Sequence, residues 1–220
     1  MTLTLPIAHT WDGAAIPDRA VVQLAETPEG LLLRSWSPWR GDPAPSGAPG
    51  PTDRLWEHEV VELFLIGPGL AYLEVEVGAY GHHLVLDLAD VRSPRRTHLP
   101  LDLAVRRFGA DAFAAEATLP AAWLPAKPWR ANAYRIHGPP DGRRYLAHAP
   151  LPGPAPDFHQ PHRFPTVTVG PSESLADDVR AAVLALRAWP VRVELVDDDW
   201  AASVHVSLIA TDNATRPNVD

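Results

Sequence analysis

The chain has 220 residues, with 25 prolines, 14 glycines and no cysteine. Proline at this frequency argues against a fold of long helices, and a hydrophobic content of 46% argues against disorder. The formal charge of −8 argues against nucleic acid or an anionic membrane as the main partner, and the lack of cysteine excludes disulfides and thiolate chemistry.

The first half of the chain has the pattern of short strands separated by turns. Strands are predicted at 2–8, 20–26, 30–36, 59–66, 70–79 and 82–88. The Thr-Pro-Glu-Gly run at 27–30 predicts a hairpin turn between the second and third of them. Residues 37–54 form a long loop rich in proline and glycine.

The second half continues this pattern up to residue 170. Hairpins are predicted from 101–108 with 112–119 and from 129–137 with 143–148, a single helical turn at 120–124 and a short strand at 164–169. After Gly170, helical spacing of Leu175, Val179, Val183 and Leu186 predicts one helix at 172–188, followed by strands at 191–196 and 203–209.

These elements predict an all-β fold, an antiparallel two-sheet β-sandwich with one C-terminal helix. The sandwich is expected to occupy residues 1–170, with residues 171–220 packed on the same domain and ending in a flexible tail. The N-terminus lacks the basic and apolar regions of a secretory signal, and no run of 18 apolar residues occurs. A soluble, cytoplasmic protein without a membrane partner is therefore expected.

One predicted strand carries a charged residue on an otherwise apolar face. In the run 59–66, Val61, Leu63 and Leu65 share one face, and Glu62 shares the other with valine and phenylalanine neighbours. A carboxyl group on such a face needs a partner or a ligand, because unpaired burial is costly.

Four segments in order resemble the family 9 carbohydrate-binding modules and the related DOMON-type domains, over about residues 1–170. The segments are Trp56 six residues before Glu62 in a Val-Glu-Leu-Phe strand, the Tyr-Leu-Glu-Val-Glu-Val strand at 72–77, the Trp-Arg-Ala-Asn-Ala-Tyr-Arg-Ile strand at 129–136, and Asp-Phe-His at 157–159 ahead of Phe164. The resemblance implies a sandwich that binds sugars without catalysis, by stacking on aromatic rings and hydrogen bonding to hydroxyl groups.

Carried over residue by residue, the resemblance places the ligand beside Trp56, Glu62 and Asn132. The position three residues after Asn132, aromatic in the family, is Arg135 here. The second stacking aromatic would then be one of four candidates, which are Trp129, Tyr134, Trp36 and Trp39. The expected ligand-binding set is therefore Trp56, Glu62, Trp129, Asn132 and Arg135, with the 37–54 loop as an adjustable wall.

Other interpretations of the same residues stay open. Glu62 paired with an arginine such as Arg135, and Trp56 acting in packing, would indicate a structural or protein-interaction domain that keeps the fold without a sugar site. Glu74 and Glu76, or Glu59 and Glu62, could mimic a glycosidase pair, although the alternation of Glu74 and Glu76 with Leu73 and Val75 favours a solvent-facing side for them.

Metal binding has weak support in the sequence. Asp157, His159 and His162 lie on an extended segment without a metal-binding motif. Three consecutive aspartates at 197–199 could bind calcium, but a solvated acidic turn is the simpler interpretation. No cofactor is predicted, and no protein partner can be named.

Overall fold

The computed structural model describes residues 2–171, 191–195 and 204–208. The strands are β1 Leu3–Thr10, β2 Ala15–Thr27, β3 Gly30–Pro38, β4 Val60–Ile66, β5 Tyr72–Gly78, β6 His83–Asp90, β7 Ser93–Arg96, β8 Ala104–Phe108, β9 Ala112–Pro120, β10 Trp129–His137, β11 Arg144–Ala147, β12 Thr166–Val167, β13 Val191–Leu195 and β14 Val204–Leu208. Three single-turn 3-10 helices lie at Leu55–Glu57, Ala121–Trp123 and Pro161–Arg163.

Strands β1 to β12 form one antiparallel sheet that folds over on itself. Its order is β7-β6-β5-β4-β10-β11-β1-β2-β3-β9-β8, with β12 paired to β10. The main apolar core contains side chains from β4, β5, β6 and β10 together with side chains from β1, β2, β3 and β9. The two halves of the sheet therefore face each other across this core, which is the arrangement of a β-sandwich.

The half of the sheet that contains β4 is covered on both faces. Val61, Leu63 and Leu65 point into the main core, while Phe64 belongs to a second apolar cluster on the opposite face. That second cluster includes Phe158 and Phe164 from the connection after β11. The connection thus covers part of the outer face of the sheet, and the candidate site lies beside it.

The all-β antiparallel sandwich class predicted from the sequence is confirmed. The 27–30 turn joins β2 to β3, and β10 pairs with β11, as predicted. The short edge strand β7, a Ser-Pro-Arg-Arg segment with exposed side chains, was not predicted, because it lacks apolar periodicity. Strands β13 and β14 pair with each other, and the helix predicted at 172–188 lies outside the described residues.

Candidate functional site

A cavity of about 440 Å³ opens on the outer face of the sheet, and we call it the Trp56 pocket. Its apolar lining comprises Trp56, Phe64, Leu86, Leu88, Pro94, Ile136, Tyr145, Pro156 and Phe158. Its polar lining comprises Glu62, Glu74, Arg92, Asp157 and His159. The volume lies within the usual range for small-molecule sites, about 300–1,000 Å³, and the mixture of an apolar wall with a few polar groups is typical of them.

The mouth of the pocket is formed by a side chain that the fold leaves exposed. Trp56 lies in the 3-10 turn that precedes β4, where Leu55 is fully buried and Trp56 keeps 40% of its surface exposed. Arg143 holds this turn by donating to the carbonyl oxygens of Trp56, at 2.8 Å, and of His58. The indole is therefore held at the pocket by its backbone, and it stays accessible to a ligand.

The floor of the pocket holds a cluster of three buried carboxyl groups. Glu62 on β4 lies directly opposite Glu76 on β5, and Glu74 lies two residues from Glu76 on the same face. The three side chains belong to residues that are 0–3% exposed. Glu62 and Glu74 line the pocket, whereas Glu76 does not belong to its lining.

Among the described residues, the cluster has few polar contacts. Both carboxyl oxygens of Glu76 and Oε2 of Glu74 are buried without a hydrogen-bond partner. The nearest cationic candidate for Glu74 is His159, whose Nδ1 lies 4.0 Å from Oε2. The protein therefore supplies no close counter-charge to these carboxyl groups within its described part.

Burial keeps this cluster in the protonated state. It raises the pKa of Glu74 to about 8, although the charge of Arg92 opposes the shift. Burial also raises the pKa of Glu62 well above its usual value, with the negative charge of Glu74 adding to the effect and Arg143 opposing it. The pKa of Glu76 is raised for the same reason, with Glu62 and Glu74 adding to the shift.

One polar part of the pocket wall is built around His159. Its Nδ1 is hydrogen-bonded to the Tyr72 hydroxyl at 2.6 Å, and burial lowers the pKa of its imidazole to about 4. Arg92 lies beside it and pairs with Asp157 at 2.8 Å. At neutral pH this wall therefore presents the neutral imidazole of His159 and the guanidinium of Arg92, whose positive charge is balanced by Asp157.

Two of the predicted site residues, Trp56 and Glu62, lie together in the pocket. Asn132 lies on the same face of the sheet but is fully buried. Its amide nitrogen donates to the Tyr134 hydroxyl and to the Ala149 carbonyl oxygen, and its oxygen accepts from the N–H groups of Ala133 and Ala149, all at 2.8–2.9 Å. Asn132 therefore fixes the start of the covering connection.

Trp129 and Arg135 point to the opposite face of β10, so the structure does not bring them to the pocket. Trp129 packs in the main core, and its Nε1 donates to the Pro125 carbonyl oxygen at 2.8 Å. Arg135 is fully buried and pairs with Asp18 at 3.0 Å and with Glu59 at 3.2 Å.

The alternative pairing of Glu62 with Arg135 is wrong. Tyr134 is the residue opposite Glu62 on β10, so the neighbouring Arg135 projects from the other side of the sheet. The arginine instead meets two acidic side chains in the interior. Together with Arg40, it keeps the pKa of Asp18 below its usual value despite the opposing effect of burial.

The 37–54 loop does not line the pocket. Its Asp42 carboxylate accepts from the N–H of Gly138 at 2.9 Å and from Arg143 at 3.0 Å. A backbone bridge joins Pro51 to His83. The loop is thus bonded to the sandwich at Gly138, Arg143 and His83, none of which lines the pocket. The expectation that the loop forms an adjustable wall is therefore wrong for this pocket.

The expectation of a solvent-facing side for Glu74 and Glu76 is also wrong, because both are buried. The ligand-binding set expected from the sequence therefore left out Glu74, and it left out the aromatic lining from Tyr145 and Phe158. A usable signal was present in β4, whose two apolar faces require that the outer face of the sheet is covered.

Among the described residues, no group of three or more histidine and acidic side chains is arranged to hold a metal ion. The three aspartates at 197–199 lie outside the described residues. None of the described helical turns has the length and hydropathy of a membrane span.

The fold and the pocket define a β-sandwich protein with a small-molecule-sized site on the outer face of one sheet. The chain is 37% identical over 163 residues to the UPF0462 protein C4orf33 of Homo sapiens, covering 70% of this chain and 81% of the human protein. It is 36% identical over 173 residues to the homolog from Danio rerio, covering 87% of that protein. The chain therefore belongs to the UPF0462 family. No protein-family model matches it.

A solved structure shares the fold. It is a crystal structure, at 2.70 Å, of a proposed carbohydrate-binding protein from Bacteroides uniformis, with a TM-score of 0.60. The match covers 76% of this chain and 84% of that chain at 18% sequence identity. At this identity, the likeness supports the sandwich architecture alone.

Proposed function

We propose that this protein is a noncatalytic carbohydrate-binding protein whose Trp56 pocket takes a mono- or short oligosaccharide. The observation that carries the proposal is the pairing of a 40%-exposed indole, Trp56, with the buried carboxyl groups of Glu62 and Glu74 in one cavity. The description of the Bacteroides uniformis protein as a proposed carbohydrate-binding protein adds support.

The apolar wall suits the C–H face of a sugar ring. Trp56 forms one side of the mouth, and Leu86, Leu88 and Ile136 extend the apolar surface from three places on the sheet. A sugar ring that packs against the indole removes apolar surface from water, and an aromatic contact of this kind contributes about 1 kcal/mol.

The polar groups suit sugar hydroxyls. A protonated carboxyl group both donates and accepts a hydrogen bond, which matches the two roles of a hydroxyl group. Glu74 lacks a partner for Oε2 in the described part of the structure, and a ligand hydroxyl would satisfy it. Hydrogen bonds of this type are each worth about 0.5–1.5 kcal/mol.

The same carboxyl groups argue for binding rather than glycoside hydrolysis. A glycosidase needs one protonated acid and one ionised carboxylate, so the environments of the two groups must move their pKa values apart. Here burial raises the pKa of both Glu62 and Glu74. Neither group therefore supplies a stable carboxylate at neutral pH.

The proposal is tested by a glycan array followed by calorimetry on the wild type, Trp56→Ala and Leu70→Ala. Leu70 is another exposed large side chain, outside the pocket lining, and serves as the matched control. We expect Trp56→Ala to weaken binding about tenfold, which corresponds to about 1.4 kcal/mol, and Leu70→Ala to leave it within twofold.

Two outcomes would overturn the proposal. If no sugar binds while a protein partner is lost with Trp56→Ala, the pocket mouth belongs to a protein-interaction surface. If the wild type hydrolyses nitrophenyl glycosides and Glu74→Gln abolishes that activity, the protein is a glycoside-processing enzyme.

A further inference from the structure

The carboxyl cluster of the Trp56 pocket lacks a basic partner, and the binding of a neutral sugar does not explain this lack. Three acidic side chains share one buried face, and none of Glu62, Glu74 and Glu76 accepts a hydrogen bond from an arginine or lysine among the described residues. Buried acidic groups are normally paired. Asp18 and Glu59 on the opposite face of the sheet follow this rule, because both pair with the buried Arg135.

The charged groups around the cluster are already engaged. The Arg92 guanidinium pairs with Asp157 on the pocket wall. Arg143, which directly precedes β11 and whose charge acts on Glu62, pairs with Asp42 at 3.0 Å and donates to the Trp56 carbonyl oxygen. His159 is hydrogen-bonded to Tyr72. A positive group brought by a ligand would therefore be the direct counter-charge of Glu62 and Glu74.

The aromatic lining favours the same kind of group. Trp56, Phe64, Tyr145 and Phe158 contribute rings to the pocket that holds Glu62 and Glu74. The faces of aromatic rings attract cations, and aromatic pockets with nearby carboxylates are a known means of binding ammonium groups. An anionic ligand, by contrast, would find no counter-charge at the floor, because its polar groups are carboxyl groups.

Resting on the proposed function, we infer that the sugar bound in this pocket carries an amino group, and that its ammonium lies against Glu62 and Glu74. The class of ligand is a hexosamine with a free amine. The N-acetylated form is excluded from this contact, because its amide carries no charge.

Binding of an ammonium group should be coupled to the loss of a proton from the carboxyl cluster. Burial raises the pKa of Glu74 to about 8, so the carboxyl group is mostly protonated at pH 7 when no ligand is bound. An ammonium placed against the carboxyl group favours its ionised form. Binding of the ammonium sugar should therefore release a proton from the cluster to the buffer.

The experiment is calorimetry at pH 7 on three matched sugars, D-glucosamine, N-acetyl-D-glucosamine and D-glucose, with the galactose and mannose series run in parallel. We expect the free amine of at least one series to bind ten times or more tightly than its neutral partners. Repeating the titration in buffers of different ionisation enthalpy should show proton release.

Two variants separate the cluster from general charge effects. Glu74→Gln keeps the shape and hydrogen-bonding capacity of the side chain and should reduce the amine preference to within twofold. Glu29→Gln removes one negative charge from an exposed turn and should leave the preference intact. Thermal unfolding of both variants verifies that each is folded.

The outcomes distinguish this inference from the proposed function. Equal binding of glucose and glucosamine, unaffected by Glu74→Gln, overturns the amine inference and leaves sugar binding standing. Binding of choline in place of any sugar overturns the sugar proposal and with it the amino-sugar inference, and it leaves only the ammonium contact with Glu62 and Glu74. Absence of binding by choline and by all the sugars overturns both.

Discussion

Glu62 on β4 lies directly opposite Glu76 on β5, and both side chains are buried on the face of the sheet that forms the Trp56 pocket. Two carboxyl groups facing each other in the interior cannot both ionise at neutral pH without a large cost in free energy. The carboxyl groups of this cluster therefore stay protonated at neutral pH. Their protonation affects both the stability of the protein and the kind of ligand that the pocket binds.

The contribution of Glu74 to stability should fall as the pH rises from 5 to 8. Unfolded glutamate loses its proton near pH 4.5, whereas folded Glu74 keeps its proton up to about pH 8. At Glu74 the folded state binds more protons in this window, so this group lowers the free energy of unfolding as the pH rises, whereas the lowered pKa values of His137 and His159 act in the opposite direction up to about pH 6.5. For Glu74 the loss between pH 4.5 and 7 is on the order of 3 kcal/mol. Urea unfolding of the wild type and of Glu74→Gln across the window isolates this contribution, and a difference between the two that does not change with pH would contradict protonated burial.

Glu76→Gln should stabilise the protein at high pH. The variant removes a buried acid whose pKa is raised well above the usual value, and it introduces no charge. We expect a gain in the free energy of unfolding at pH 8 and a smaller gain at pH 5, because folded Glu76 must keep a proton that the unfolded chain has lost. Glu29→Gln on the exposed turn is the control and should change stability by less than about 0.5 kcal/mol. Equal effects of the two variants at pH 8 would refute the assignment.

Arg135→Leu should strongly destabilise the protein. The guanidinium is fully buried and pairs with Asp18 and Glu59, so its removal leaves two acidic groups without their counter-charge. Breaking a buried pair in this way costs about 3–5 kcal/mol. Arg54→Ala, which breaks the exposed pair with Glu57, should cost less than about 1 kcal/mol. Chemical denaturation of both variants gives the comparison. A small effect at Arg135, with sugar affinity lost, would instead place it in the binding site.

Asn132→Ala should lower stability with little effect on ligand affinity. The amide of Asn132 donates to the carbonyl oxygen of Ala149 and accepts from its N–H group, and it also donates to the Tyr134 hydroxyl. Loss of these contacts leaves buried polar groups unpaired, at about 1–3 kcal/mol for each group. Denaturation and calorimetry on the same variant measure the two effects. A loss of affinity in a variant of unchanged stability would return Asn132 to direct ligand contact.

The positions of the strands could be predicted from the sequence, but the segment that covers the outer face of the sheet could not. Alternation placed Val61, Leu63 and Leu65 on one side of β4 and Glu62 on the other, and the structure has this arrangement. The same alternation at Glu74 and Glu76 fits either a solvent-facing side or one covered by another segment. Only the position of the connection that contains Phe158 decides between the two, and that position is set by contacts distant in sequence.

Register between strands was the second limit. The pairing of Glu62 with Tyr134 means that Arg135 points away from the pocket. A shift of one residue would have brought the arginine to the glutamate. Turn chemistry and apolar periodicity locate β4 and β10 along the chain, but neither specifies which of their residues lie opposite each other.

The most direct test of the central claim is an NMR titration of the protein labelled at its tryptophan indole nitrogens, with the hexosamine that binds most tightly in calorimetry. The Trp56 signal is identified by its loss in Trp56→Phe. The account predicts a saturable shift of the Trp56 signal, while the signal of Trp129, buried on the opposite face of the sheet, stays in place. A Trp56 signal that does not move at saturating sugar would contradict the account.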